Sequence, residues 1–375
     1  MAFETEVKAV HFTDAATPYA PTHFTLLKQF IDNTPARGRI HVAISHFTAD
    51  YPIVRNALVA AAARGVKIKV LLRTEYNEII PSLIGIEARA EDGYFGTSLH
   101  MKLFLFSQTQ VDSETCSYVS VISSAPLNAS SVDKQQNTVV VADEKLYAGL
   151  LTHWNSMSDR SSGDPKPRIV SLDKDEDVLS TSGRIKAYLF PRSTDPVLHV
   201  IQNVKETRNP VTGARPRIHI AMARWSTWRE SLLDALIDRA EAGCVVDLVL
   251  RVDWDGDDDG VDMALVRRVQ RVLRSGNPLS LHLHLSRVDS TPIDVHSKYL
   301  LVDAEYGDGG DWERIVWTGS ENWTKPALRS NDEVMIKIRD SRVHQLFVEN
   351  HERLKSLCVN ANLGTEMLTL GWMGP

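Results

Sequence analysis

Cysteine is scarce in this chain of 375 residues: Cys116, Cys244 and Cys358 lie far apart and in no CxxC spacing. Three scattered thiols argue against a disulfide framework or a thiolate zinc site. Cys116 and Cys244 fall in or beside apolar runs and read as buried packing. A cationic excess is also missing. Against 48 Asp and Glu stand 42 Lys and Arg, a formal net charge of -6. That argues against a chain whose main business is gripping nucleic-acid backbone, while leaving room for a local basic cleft or a lipid headgroup. No stretch approaches the roughly 20 apolar residues of a membrane span; "ALVAAAARG" (57–65) is far too short. The first residues, "MAFETEVKAVHF", lack a basic start followed by an apolar stretch. As given, the chain reads as cytoplasmic; removal of a signal ahead of residue 1 would make it secreted.

What the chain does have is length for about two domains, a hydrophobic content of 43% and a charged content of 24%. It also repeats itself. "RIHVAISHFT" (39–48) matches "RIHIAMARWS" (217–226) at an offset of 178, which also relates "KAVHF" (8–12) to "KAYLF" (186–190). With a two-residue gap, "PIVRNALVAAAARGVKIKVLLR" (52–73) matches "WRESLLDALIDRAEAGCVVDLVLR" (228–251). Each copy reads strand, helix, glycine turn, strand. Val54, Leu58, Ala61 and Ala62 share one helical face; Leu232, Leu233, Leu236 and Ile237 share another. Gly65 and Gly243 stand where a helix ends in a left-handed residue. "VKIKVLL" and "VVDLVL" are rich in β-branched residues and read as strands. Later the offset becomes 196: "HMKLFLF" (100–106) falls on "HSKYLLV" (296–302), Ser124 on Ser320, and "QQNTVVV" (135–141) on "NDEVMIK" (331–337).

This pattern predicts an α/β protein of two pseudo-symmetric halves, each a mixed sheet flanked by helices. The halves are 1–157 and 181–375, joined by a polar linker at 158–180, "SDRSSGDPKPRIVSLDKDEDVLS". The reading is a monomer, its halves face to face about a pseudo-twofold axis.

Each half offers a His, a Lys two residues on, and a Ser 24 residues after the His: His100, Lys102 and Ser124; His296, Lys298 and Ser320. Two residues apart on an extended strand, His and Lys share a face. Brought together, two imidazoles have a defined use. One attacks phosphorus to form a phosphohistidine. The other protonates the leaving alkoxide, then deprotonates the incoming water or alcohol. The two ammonium groups, with hydroxyl and amide donors, neutralise the non-bridging oxygens, the electrostatic work otherwise done by a metal ion. No cofactor and no metal are called for.

"HSKYLLVD…VWTGSENW…NDE" resembles the HxKxxxxD…GSxN motif of the phospholipase D superfamily, and the two-copy layout fits it along nearly the whole chain. "KAYLFPR" and "VWTGSENWTKPALRSNDEVMIKI" resemble actinobacterial phospholipase D-like proteins, many of them secreted. The resemblance implies a phosphodiesterase or phosphatidyl-type transferase of phospholipase D type. It leaves the substrate open among lipids, nucleic acids and other diesters. It also implies phosphate contacts from Ser124, Ser320, Asn322 and Asn128, and a structural strut at Asp303.

The first copy departs from the motif. Ser107 stands where Asp303 would be. Pro126, with no amide donor, stands where Asn322 would be, and Asn128 takes over only if the loop bends. Asn137 stands opposite Glu333. In relatives, the acidic residue after GSxN contacts the His of the opposite half. Glu333 is thus expected behind His100 and Asn137 behind His296. A carboxylate favours the cationic imidazole, so His100 is expected as nucleophile and His296 as general acid.

Other residues read as structural. His41 and His219 recur within strands, and His282 and His284 alternate with leucines in "LHLHL". Asp255, Asp257, Asp259 and Gly260 start like an EF-hand loop, but the twelfth position is Val266 rather than Glu, so a solvated acidic loop is the reading. Phe47, Trp225, Trp228 and Trp323 are read equally as groove lining or core. The favoured substrate is a phospholipid or similar small phosphodiester. The alternatives are a nuclease or nucleotide phosphodiesterase, and a catalytically inactive module that binds a phosphate ligand.

Overall fold

The computed structural model describes residues 2–13, 22–93, 97–160, 177–252, 260–275, 280–287, 291 and 293–361. Most of the expected linker and the acidic positions Asp255, Asp257 and Asp259 lie outside the described residues. The strands are β1 (Val7–Thr13), β2 (Arg39–Ile44), β3 (Lys67–Arg73), β4 (Glu87–Gly93), β5 (Thr97–Ser98), β6 (Lys102–Val111), β7 (Glu114–Ser123), β8 (Lys134–Ala142), β9 (Val178–Leu179), β10 (Ile185–Phe190), β11 (Arg217–Met222), β12 (Val245–Val252), β13 (Leu281–Arg287), β14 (Asp294–Val295), β15 (Lys298–Glu305), β16 (Trp312–Gly319), β17 (Glu333–Arg339) and β18 (Val359–Asn360). The helices are α1 (His23–Asp32), α2 (Ile53–Ala63), α3 (Glu144–Arg160), α4 (Pro196–Gln202), α5 (Glu230–Glu241), α6 (Met263–Arg274), α7 (Lys325–Arg329) and α8 (Ser341–Leu357). No described helix is long and apolar enough to cross a membrane.

Two compact units form, and they interleave along the sequence. The first takes Met1–Ser193, Trp317–Glu321 and Pro326–Val343; the second takes Thr194–Val316, Asn322–Lys325 and His344–Pro375. In the first, strands run in the order β1-β8-β7-β6-β2-β3-β4-β5. β2, β3 and β4 are mutually parallel, and β6 is antiparallel to β2. The same unit holds β17 and β9 antiparallel to β10. In the second, β11, β12 and β13 are parallel, β15 is antiparallel to β11 and β18 to β13.

Local sequence explains the elements. Thr22 caps α1, its side chain accepting from Thr25 N at 3.2 Å. Asp195 caps α4 ahead of Pro196, whose fixed φ suits the first helical turn. Gly65 and Gly243 end their helices at φ 91° and 107°, as the glycine-turn reading expects. In the first unit, Ile40, Val42 and Ile44 of β2 pack against Phe24, Leu27 and Phe30 of α1 and Val54, Leu58 and Ala61 of α2. That alternation sends His41 to the other face, where it meets the ring edge of Trp154 on α3 at 4.9 Å. Cys116 and Cys244 are buried and free, and burial pushes the Cys244 thiol up to about 11, which suits packing rather than thiolate chemistry.

One glycine fixes a close approach. A Cβ on Gly319 would collide with Val334 O and lie 2.9 Å from Met335 Cα. The backbone at the end of β16 thus touches β17 where Ser320 must meet Glu333. Gly319→Ala is expected to destabilise the protein by about 3 kcal/mol, the upper range for forced overpacking, measured as a lowered urea midpoint against wild type.

Candidate active site

Backbone pairing builds the site around His100. His100 N donates to Asp332 O at 3.0 Å, and Asp332 N donates to Ser98 O at 3.1 Å. This short bridge lays the segment just ahead of β6, at Leu99, alongside the start of β17. The His100 ring therefore meets the side chain of Glu333, with Nδ1 2.6 Å from Oε1. The Glu333 side chain is fully buried, and its Oε2 accepts from Ser320 Oγ at 2.5 Å. Ser320 is locked in turn: its N donates to Val334 O at 2.9 Å, and Val334 N donates to its Oγ at 3.1 Å.

Lys102 completes the group. Its Nζ lies 3.0 Å from His100 Nε2 and 2.7 Å from His100 O. With Nδ1 donating to the carboxylate, Nε2 keeps its lone pair, and the Lys102 ammonium points at the same place. An unprotonated ring nitrogen thus sits beside a cation, an arrangement able to attack an electrophilic centre and to hold an anionic oxygen. Lys102 is fully buried, and its pKa falls to about 7, chiefly by burial, with Glu333 opposing the fall and Arg73 adding to it.

The second copy repeats the lysine-to-carbonyl bond within its own unit, but its lysine lies nearest the other ring nitrogen. Lys298 Nζ donates to His296 O at 2.7 Å and lies 3.1 Å from His296 Nδ1. Asn322 is buried, and its Oδ1 takes no hydrogen bond among the described residues. Asp303 Oδ1 accepts from Trp312 Nε1 at 2.5 Å and from Arg314 Nε, 3.4 Å away, so it ties β15 to β16. At the matching position Ser107 accepts from Arg39 N at 2.9 Å, tying β6 to β2 by a shorter side chain.

The other predicted residues fall in less direct places. Ser124 is buried, donating to Gln136 Oε1 at 2.9 Å and accepting from Asn137 N at 3.0 Å. Val334 N makes the equivalent bond to Ser320. Asn137 therefore matches Val334, and the sequence register shifts by one. Gln136, not Asn137, holds the place of Glu333 relative to the serine. Sequence reasoning missed Gln136 because it assumed a gap-free match. The signal was the run of three amides, Gln135-Gln136-Asn137. Asn137 Nδ2 donates to Thr318 Oγ1 at 2.7 Å. Asn128 Oδ1 accepts from Ser131 Oγ at 2.5 Å, and Asn128 stands at the cap position of the turn after it without a side-chain capping bond. Of the aromatics, Phe47, Trp225 and Trp323 are core, the last two edge to face at 4.8 Å. Trp228 is exposed, with Lys325 Nζ 5.6 Å from its ring centre.

Comparison with known proteins agrees with this architecture. The family described as "Cardiolipin synthase, PLD-like domain" matches residues 27–157 and again 209–355. No curated protein matches the sequence. Among solved structures, phosphatidylserine synthase of Haemophilus influenzae Rd KW20 is 13% identical, with a TM-score of 0.63 over 97% of this chain and 91% of that one. Polyphosphate kinase of Porphyromonas gingivalis is 17% identical, with a TM-score of 0.57 over 92% of this chain. The match spans only 46% of the kinase chain. The Salmonella typhimurium phospholipase D family member Nuc is 24% identical over 40% of this chain and 94% of its own, with a TM-score of 0.32.

The depressed pKa of Lys102 has a stability consequence. Its folded pKa of about 7 lies below the ordinary lysine value of 10.5, so the unfolded chain binds the extra proton between those two pH values. Burying the charged form costs stability below pH 7, and the cost is relieved as pH rises towards 10.5. Urea unfolding at pH 7, 8 and 9 is expected to show wild type gaining on Lys102→Met by up to about 1.4 kcal/mol per pH unit. A pH-independent difference would refute the shift.

Proposed function

Because the chain belongs to the family of the cardiolipin synthase, PLD-like domain, we propose that it cleaves or transfers at a phosphodiester through a phosphohistidine. The observation that carries the reading is the His100 ring held by Glu333 at 2.6 Å, with Lys102 3.0 Å from Nε2. His100 Nε2 attacks phosphorus. The charge that develops on the ring is stabilised by the buried carboxylate behind Nδ1. The P–O bond to the leaving group breaks, and His296 gives that oxygen its proton. His296 then takes a proton from water or an alcohol, which attacks phosphorus and frees His100. Lys102 and Lys298, with Asn322, hold the non-bridging oxygens. Relative to the serine Gln136 matches Glu333, and in this reading an amide of the run 135–137 supports His296. A neutral amide leaves that ring a weaker base, suited to give its proton away. Ser320 acts through Glu333 and is a positioning residue.

The favoured substrate is a phospholipid or similar small diester. The acidic balance of the chain supports it, and so does the fold shared with a phosphatidylserine synthase. Nucleic acid is the second substrate class, to be tested beside it.

Bis-p-nitrophenyl phosphate in EDTA is expected to be hydrolysed. His100→Ala should lower turnover on the order of a thousandfold or more, as loss of a nucleophile does. Glu333→Gln should lower it by about 10–100-fold through kcat, as loss of an orienting partner does. Acid-quenched enzyme is expected to carry phosphorus on His100; label on His296 instead would reverse the two roles. An inactive wild type that still binds phosphate would leave a binding module. Phospholipid vesicles, single-stranded DNA and cyclic dinucleotides assayed side by side, with product identification, decide the substrate.

A further inference from the structure

A second cluster of chemistry-bearing side chains lies in the second unit, on β11, β12, β13 and α8, and the mechanism uses none of it. A ring nitrogen of His219, a carboxylate oxygen of Asp247 and one of Glu352 lie within 4.8 Å of one another. His219 and Asp247 are 2% and 4% exposed. His219 Nδ1 and Asp247 Oδ1 are buried and take no hydrogen bond from the described residues. Two more atoms nearby are in the same condition: Nδ1 of His284 and Nε2 of His351. The His351 ring stands edge to face with His219 at 4.9 Å, and Asp247, Glu352 and Lys355 act electrostatically on His284. Buried polar atoms are nearly always paired, by protein, water or a ligand, so four gathered in one cluster are left to be satisfied from outside the protein.

The chemistry of the set names its class. His219, His284 and His351 are buried, which favours the neutral imidazole, and a neutral ring carries a free lone pair on one nitrogen. One neutral imidazole with two carboxylates is the donor set of a borderline divalent ion such as zinc. Ligand bonds of about 2.0–2.2 Å place tetrahedral ligands about 3.5 Å apart, so the set must tighten by about 1 Å. Glu352 is exposed and free to close that gap. Lys355 Nζ lies 3.2 Å from Asp247 Oδ2 and 3.2 Å from Glu352 Oε1. Its ammonium balances both acids and competes with a cation for them.

The fold does not demand this cluster. In the first unit the paired strand positions are His41 and Lys69, where the second has His219 and Asp247. Arg89 stands in register with Leu71, where His284 stands in register with Val249. Trp154 meets His41 where His351 meets His219. The imidazole is common to both halves, but the first surrounds it with cations, an indole and Glu87, whose carboxylate is paired with Lys69 at 3.1 Å. The second sets two acids and further imidazoles around it.

We propose that His219, Asp247 and Glu352 bind one divalent transition-metal ion of the zinc class, pinning α8 to β11 and β12, with Lys355 as an internal competitor. The test uses the full chain, stripped with EDTA and titrated with zinc chloride by calorimetry. Cobalt(II) absorption reports coordination, and the thermal midpoint reports stability. One zinc per chain is expected, with a raised midpoint and the intense visible bands of tetrahedral cobalt. Glu352→Gln changes an exposed side chain and should weaken binding by about tenfold or more; Lys355→Met should tighten it by a similar factor. Absence of a one-to-one site in wild type, or equal affinity in Glu352→Gln, overturns the proposal. None of these readouts depends on phosphodiester turnover, so failure here leaves the functional reading untouched.

Discussion

A single buried carboxylate organises the candidate active site. Glu333 has no exposed side-chain surface, and a charge so placed survives only where both oxygens are held. His100 takes one and Ser320 the other. That requirement explains the features around it. The bridge from Asp332 to His100 sets the ring at the carboxylate, and Gly319 lets β16 and β17 approach closely enough for Ser320 to arrive. Lys102 sits in the field of the same carboxylate, which opposes the loss of its charge.

The two copies solve the same backbone problem with different side chains. The His-x-Lys spacing on an extended segment gives the same lysine-to-carbonyl bond of 2.7 Å in both. The partners differ: Ser320 meets a carboxylate, Ser124 the amide of Gln136. Duplication supplied symmetry of position, and substitution removed symmetry of charge. The proposed two-step transfer would use that inequality, since in it one imidazole carries positive charge while the other gives up its proton.

Much of this was legible in the linear sequence. Strand–helix–glycine–strand repeats announced the α/β halves, and Gly65 and Gly243 marked helix ends because only a left-handed residue suits those turns. The His–Lys spacing singled out the pairs whose side chains meet in both copies. The one-residue shift that puts Gln136 opposite Glu333 was not legible. It comes from a serine-to-strand connection one residue shorter in the first copy, and ungapped matching hides it. Nor did the sequence show that His219 and Asp247 stand side by side near Glu352, since strand pairing and the placement of α8 are tertiary facts. A histidine alternating with Ile218 and Ile220 reads as packing until its neighbours are known.

The interleaving of the compact units carries a consequence for anyone who wishes to divide the gene. The repeat boundary in the polar stretch after residue 157 looks like a natural place to cut. A fragment ending there would keep His100, Lys102 and Ser124, yet it would lack the residues of 317–321 and 326–343 that complete its own unit. Its imidazole would lose the acid behind it, and its sheet edge would lose the bridge at Leu99. The duplicated halves are separable as text, but the compact units are not, because 317–321 and 326–343 stand late in the sequence and belong to the first unit.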